Sequence, residues 1–315
     1  MGSCFLFVKG LRHTAGVNLT PMSEALLGID LGGTKIAVAV VQDGKIVKKI
    51  VTPTPKEGQE AVFAEIVRVG LELMREFEVT AIGLGTPGPL DFVKGIVKFA
   101  PNIHGFENAP IVEALSRGFG RHVELENDAN AAGLAEHVYG AARGAQSSVY
   151  YTVSTGIGGG IILNDRVWRG ANGIAGEIGH TISIPGGPFC GSGIAGTLEA
   201  VASGPAIARD ASMALGRPVS TKEAFDAAKA GNVKALRVVD QAARYLGSSI
   251  ADVQKFLDPE IFVVGGGVAE AGDFYLDRVR AAANSELDGF TPAIIRKAVL
   301  GTDAGVIGAA LAARP

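Results

Sequence analysis

Cysteine is nearly missing from this chain: Cys4 and Cys190 are the only two in 315 residues, too few for a disulfide framework. Nor does any uninterrupted apolar stretch reach the ~18 residues that would suggest a membrane span. Residues 149–163 come closest, but polar residues and repeated glycines break them. No block of Lys or Arg stands out among 29 basic and 32 acidic residues, so nothing calls for a nucleic acid backbone or an anionic membrane. The opening stretch MGSCFLFVKGLRHTAGVNLTPMSEA has a short apolar patch without a basic region ahead of it or a convincing cleavage site. Residues 1–24 are therefore expected to be a disordered leader, with Met22 as an alternative start, and the cytoplasm is the expected compartment. Two nucleotide signatures are absent as well. GxxxxGK[ST] does not occur, and no GxGxxG opens a helix with an acid about 20 residues on.

What is present is an ordinary folding composition, 47% hydrophobic and 19% charged, with 44 glycines gathered in clusters after β-like runs. Clustered glycine marks backbone that turns sharply or approaches a ligand closely. Ala25–Asp30 reads as a strand, LGGTK as a turn and Ile36–Val41 as the returning strand, with a hairpin at Asp43-Gly44. A helix over 58–77 carries Val62, Ile66, Val69 and Leu73 at helical spacing. Strand Ala81–Gly85, a short hairpin, the helix IVEALSRGFG and strand His122–Asn127 follow, and a helix begins around Asp128. The opening pattern then returns: strand Ser148–Val153, turn STGIGGG, strand GIIL. This is read as an internal duplication in which each half offers a glycine turn to a shared cleft. Residues 200–257 are mostly helical, strand Ile261–Val264 runs into GGGV, and a helix closes the chain. The alternation predicts an α/β fold, with hairpins making the sheets mixed and ligands at the carboxyl ends of the strands.

Every candidate residue lies at such an end. Gly32, Gly33, Thr34 and Lys35 form one turn and Ser154, Thr155 and Gly156 another, the latter continuing through Gly158 and Gly159. Successive backbone N–H groups in such turns make an anion-binding concavity, and hydroxyls add donors; the plain alternative is a pair of tight hairpins. Asp30 suits an outer partner of Mg²⁺, since a carboxylate repels phosphate directly. Gly265, Gly266 and Gly267 offer a flat surface for an adenine ring and ribose, or else for close helix–strand packing. Asp128 is the candidate acceptor of a hydroxyl proton during phosphoryl transfer, with helix N-capping as the plain alternative. Glu177, His180, Glu199 and Asn102 suit a polyol, because a carboxylate accepts from two vicinal hydroxyls at once. Taken singly, each could be an exposed or capping residue.

The motifs GIDLGGTK, GLGTPGP, APNIHGF, ENDANAA, STGIGGG, GEIGH, LEAVASG, VVGGGV and DAGVIGAA, in this order over residues 25–313, resemble the ROK family (repressor, open reading frame, kinase). That family lies within the sugar kinase, heat-shock protein and actin superfamily. The resemblance implies two duplicated ribonuclease H-like domains with mixed sheets flanked by helices, an actin-like ATPase fold whose cleft holds sugar and ATP and closes on binding. Residues 25–126 would form a small first domain and 127–302 a larger second one, with the helix over 303–315 packing back on the first. It implies ATP-dependent phosphorylation of a hexose, glucose first, with Asp128 as catalytic base. Asn102, Asn127, Glu177, His180 and Glu199 would contact the sugar. N-acetylmannosamine, N-acetylglucosamine, fructose and allose are the rival acceptors, and polyphosphate is the rival donor. A dimer is expected by the same resemblance.

The chain departs from the family at residues 180–199. Members commonly bind structural zinc through the His of GxxGH and three cysteines of CxCGxxGC; here Ser192 and Thr197 stand in two of the cysteine positions. His180 and Cys190 alone do not complete a tetrahedral N/S site, so no zinc is expected. A sugar-responsive repressor would need an N-terminal helix-turn-helix, and only about 25 residues precede the first strand. An actin- or chaperone-like ATPase would share the turns without explaining GEIGH or Glu199.

Overall fold

The computed structural model describes residues 24–100 and 102–314. The leader reading for residues 1–24 therefore falls, apart from Glu24, outside the described residues.

β1 (Ala25–Leu31), β2 (Lys35–Gln42) and β3 (Lys45–Pro53) form an antiparallel meander. β1 and β2 are buried on both faces and read as continuous apolar runs, whereas β3, at the sheet edge, alternates between half-buried and exposed positions. The turn between β2 and β3 places Asp43 at φ 47° and Gly44 at φ 73°, the paired left-handed residues of a two-residue hairpin. α1 (Gln59–Met74) buries Val62, Ile66, Val69 and Leu73 as their spacing requires. β4 (Val79–Thr86) joins β1 in parallel. β5 (Leu90–Asp91), β6 (Ile96–Phe99) and β7 (Glu107–Ala109) make a small separate sheet. Then come α2 (Ile111–Phe119), β8 (Val123–Asn127) beside β4, and α3 (Asp128–Val138).

The second half repeats the plan with β9 (Ser147–Val153), β10 (Ile157–Leu163) and β11 (Arg166–Val167). After α4 (Leu198–Ala202), α5 (Gly204–Leu215), α6 (Thr221–Lys229) and α7 (Val233–Leu257) come β12 (Ile261–Gly265), α8 (Asp273–Ser285), β13 (Ile295–Lys297) and α9 (Ala304–Ala312). The two main sheets run β3-β2-β1-β4-β8 and β11-β10-β9-β12-β13. Each is three antiparallel strands followed by two parallel ones, so the duplication read from two glycine turns extends to the whole sheet.

The second turn is shorter than STGIGGG suggests. Only Ser154–Gly156 lies between strands; Ile157 onward is already β10. Gly158 and Gly160 are there for packing: a Cβ on Gly160 would lie 2.9 Å from the Ala129 carbonyl, and one on Gly158 3.1 Å from the Ala129 Cβ. Their lack of a side chain lets the first turn of α3 rest on β10.

α3 and α9 lie against each other between the two sheets. α9 packs on β1 and β4, and α3 on β9 and β10. The fit has no room for a methyl group: a Cβ on Gly308 would collide with the Ala131 carbonyl, and those on Gly28 and Gly83 with the carbonyls of Val306 and Ala309. Close-packed interiors respond to single methylenes, so this pair of helices fixes how the sheets meet. Glu136, fully buried on α3, secures the segment leading into α9. Its Oε1 accepts the amides of Val299 (2.8 Å) and Leu300 (2.7 Å), and its Oε2 that of Ala141 (2.8 Å). Among the described residues no helix is long and apolar enough to cross a membrane.

Candidate active site

The first turn is closed by the Gly32 amide donating to the Lys35 carbonyl (3.0 Å), and the second by the Ser154 amide donating to that of Gly156 (2.8 Å). Among the described residues the amides of Gly33, Thr34, Thr155 and Gly156 donate to no protein acceptor, so each turn presents two consecutive free N–H groups. That pair is what an anion-binding concavity needs. Thr34, Lys35, Ser154 and Thr155 are exposed. The third cluster divides. A Cβ on Gly265 would meet the Tyr150 ring and hydroxyl, and Gly266, at φ 83°, lies against Val153, so these two serve packing. Gly267 is exposed, and its missing Cβ would stand 3.6 Å from Ser154 Oγ. The second and third clusters thus meet at one edge.

Asp128 is not the N-cap of α3. Asn127 is: its Oδ1 accepts the amides of Ala129 (2.9 Å) and Asn130 (3.1 Å). Asp128 occupies the first helical position with its Oδ1 2.8 Å from the Ala129 amide. Burial pushes its carboxyl above the usual range, although that amide, its own amide and the Asn127 side chain pull it down. Asp30, at the end of β1, is pushed up to about 6, first by desolvation and then by the charge of Asp128, with Lys35 acting the other way. Gly305, at the start of α9, lets this carboxylate in, for a Cβ there would be 2.8 Å from Asp30 Oδ2. The base candidate and the candidate partner of Mg²⁺ therefore share one field beside the first turn, while Ala129 rests on the strand that leaves the second.

Glu177 is also raised, mainly by desolvation, lowered in part by His180 and raised again by Asp128 and Glu199. His180 Nε2 is 3.9 Å from Glu177 Oε2, and its buried Nδ1 has no hydrogen-bond partner among the described residues. Glu199, on α4, reaches the second turn, where its Oε2 accepts the Ile157 amide (3.1 Å) and lies over Gly156. One of its oxygens thus already serves the turn. Asn102 is exposed and abuts the first turn, its carbonyl 2.6 Å from where a Gly33 Cβ would be.

His180, Cys190 and Glu199 each bring one donor atom within 4.8 Å of the others, a third neighbour that sequence spacing did not place. The remaining donors of a His-Cys₃ set are occupied hydroxyls. Ser192 Oγ is 2.9 Å from Cys190 Sγ, and buried Thr197 caps α4 by accepting the Ala200 amide (3.2 Å). Burial works to raise the Cys190 thiol, but hydrogen bonds from Ser192 and Thr197 bring it down to about 7. The residues present do not fit the four-ligand zinc set. Sequence reasoning also missed Glu126, a fully buried carboxylate directly beside the site residues. Its place in ENDAN gave no sign of burial, because charged residues are almost never buried unless paired and the partner lies far along the chain.

Several known proteins are similar to this chain over most of its length. Residues 26–315 match the ROK family. A glucokinase of Thermotoga maritima is 37% identical over 306 residues, covering 90% of this chain and 96% of the relative. The crystal structure of a ROK hexokinase from Thermus thermophilus superposes with a TM-score of 0.87 at 50% identity, covering 92% of this chain and 97% of that one. A ROK family glucokinase from Streptomyces griseus, solved in complex with glucose and AMPPNP, gives a TM-score of 0.78 at 34% identity, covering 92% and 99%.

Proposed function

The chain belongs to the ROK family, and on that premise we propose that it is an ATP-dependent hexose kinase that converts glucose to glucose 6-phosphate with Asp128 as general base. One observation carries the reading: the Asp128 carboxylate is not needed as the helix cap, is desolvated, and shares a field with Asp30 and Glu177. The free amides of the two turns hold phosphate oxygens, with the Lys35 ammonium nearby. Gly267 and the surface beside Ser154 receive the nucleoside. Glu177, His180, Asn102, the amide nitrogen of Asn127 beside Asp128 and the second oxygen of Glu199 orient the sugar. The attacking hydroxyl gives its proton to Asp128 as its oxygen bonds to the terminal phosphorus and the bond to the bridging oxygen of ADP breaks. Asp30 would help hold Mg²⁺, which would neutralise charge on the phosphates. A raised carboxyl is a better proton acceptor than an ordinary one.

The lobes are taken as 25–126 and 127–302, with residues 303–315 rejoining the first, and closing them excludes water that would otherwise hydrolyse ATP. The same reading places the protein in the cytoplasm, as a dimer, without stoichiometric zinc. A coupled assay over a dozen hexoses and N-acetylhexosamines, with ATP or polyphosphate and Mg²⁺, tests it. Glucose with ATP should give the highest kcat/KM, and ATP turnover that ignores every sugar would refute it. Elemental analysis should find no stoichiometric zinc.

A further inference from the structure

Glu126 sits at the end of β8 with its side chain 1% exposed, and every bond it makes leads to the site. Oε1 accepts the Asn127 amide (2.9 Å) and the Asn130 side-chain amide (2.9 Å), fixing the step from β8 into α3 on which Asp128 sits. Oε2 accepts Arg169 Nε (2.9 Å). Arg169 follows β11, so this bond joins the last strand of the first main sheet to a loop of the second. The guanidinium is held from three further sides: Glu124 Oε1 (3.0 Å), the Leu125 carbonyl (3.3 Å) and the Phe92 ring, 4.6 Å from its centroid.

Arg169 also begins the loop that carries Glu177. Its carbonyl accepts the Ala175 amide (3.2 Å), and the Glu177 amide donates to the Ile174 carbonyl (3.3 Å), so the loop is closed on itself. Gly173 packs on the Phe92 ring, and Gly176 lies beside the Asn130 side-chain oxygen, the residue whose nitrogen Glu126 holds. One buried carboxylate therefore reaches the base through Asn127 and the sugar-facing Glu177 through Arg169 and Asn130.

We propose that Glu126 and Arg169 are positioning residues that set the distance between Asp128 and Glu177, and with it the attack geometry of the bound sugar. This rests on the kinase reading. Loss of the pin would let the 169–177 loop shift relative to α3, and small displacements of reacting groups are expensive in rate. Arg169→Lys should not substitute, because an ammonium cannot hold Glu126, Glu124 and the Leu125 carbonyl with one planar fork.

The test measures kcat, the KM for sugar and for ATP, and thermal melting for Arg169→Lys, Arg169→Met, Glu126→Gln and the double variant Glu126→Gln/Arg169→Met. Expected are a fall in kcat of at least about tenfold, a raised sugar KM and an ATP KM within about twofold of the parent. The double variant should lose no more than the worse single one, as for two residues acting as one unit. Arg169→Gly should regain activity with millimolar guanidinium ion, which a merely structural role would not give. If Arg169→Met fails to fold, Arg169→Lys gives the same reading from a milder change. Lowered melting with unchanged kcat, additive losses, or no rescue would overturn the proposal. A parent protein inactive on every sugar would instead overturn the kinase reading, and the inference with it.

Discussion

Replacing Asp30 by Asn should make the protein more stable at neutral pH while impairing its turnover. In the folded chain the Asp30 carboxyl is raised from 3.8 to about 6. Between those values the native state keeps a proton that the unfolded chain has released, so stability falls as pH rises across this window. At about 1.4 kcal/mol per pKa unit the ionised carboxylate destabilises the fold above pH 6 by up to ~3 kcal/mol. The group is only half-buried, so solvent screening makes this an upper bound. Asn keeps the shape beside Gly305 and removes the charge. Urea unfolding, without nucleotide or Mg²⁺, would compare the two proteins from pH 4 to 8. The variant-minus-parent difference should be near zero at pH 4, grow to pH 6 and stay flat beyond, with m unchanged. Glu177, also raised, tilts both curves alike and cancels in the difference, whereas relief of the repulsion between Asp30 and Asp128 is part of it. A variant less stable than the parent at pH 7.5, or a difference independent of pH, would refute the reasoning.

Asp128→Ala should keep sugar binding and lose roughly 10²- to 10⁴-fold in kcat, the range of a general base, and near-normal turnover would remove Asp128 from the mechanism. The acid limb of kcat/KM for the parent should lie above the usual carboxylate range, because burial raises both Asp128 and Glu177 and the base works only once deprotonated. Glu136→Ala leaves three part-buried amides without their acceptor and should lower stability by about 1–3 kcal/mol in denaturant unfolding, with little change in KM. Elemental analysis should find one zinc ion per chain in the double variant Ser192→Cys/Thr197→Cys and none in the parent, since both hydroxyls hydrogen-bond to Cys190.

The strand ends were legible because continuous apolar runs stop at a glycine or an acid, and that put Asp30, Asp128 and the first turn at strand ends, while the second turn is shorter than it reads. What glycine did after each turn was not legible. Gly158 and Gly160 read as loop, yet they are strand residues under α3. A missing side chain looks alike whether it admits a ligand or a helix. The cap could have been Asn127 or Asp128, as either type serves, and only the backbone chose. Glu126 was hidden because its partner Arg169 is brought near by the meeting of two sheets. Glu199 stood out as a polyol binder, while its bond to the Ile157 amide depends on how α4 approaches β10.

The pairing of α3 with α9 has a consequence for synthesis. The face of the first sheet formed by Leu26, Ala39 and Val41 is covered by Leu134, Ile307 and Leu311. Residues 304–312 leave the ribosome long after that sheet has been made, so the nascent first sheet waits with an apolar flank bare while the second sheet is translated. Bare apolar surface of this kind makes a growing chain prone to aggregate, and α9 is the latch that ends the exposure.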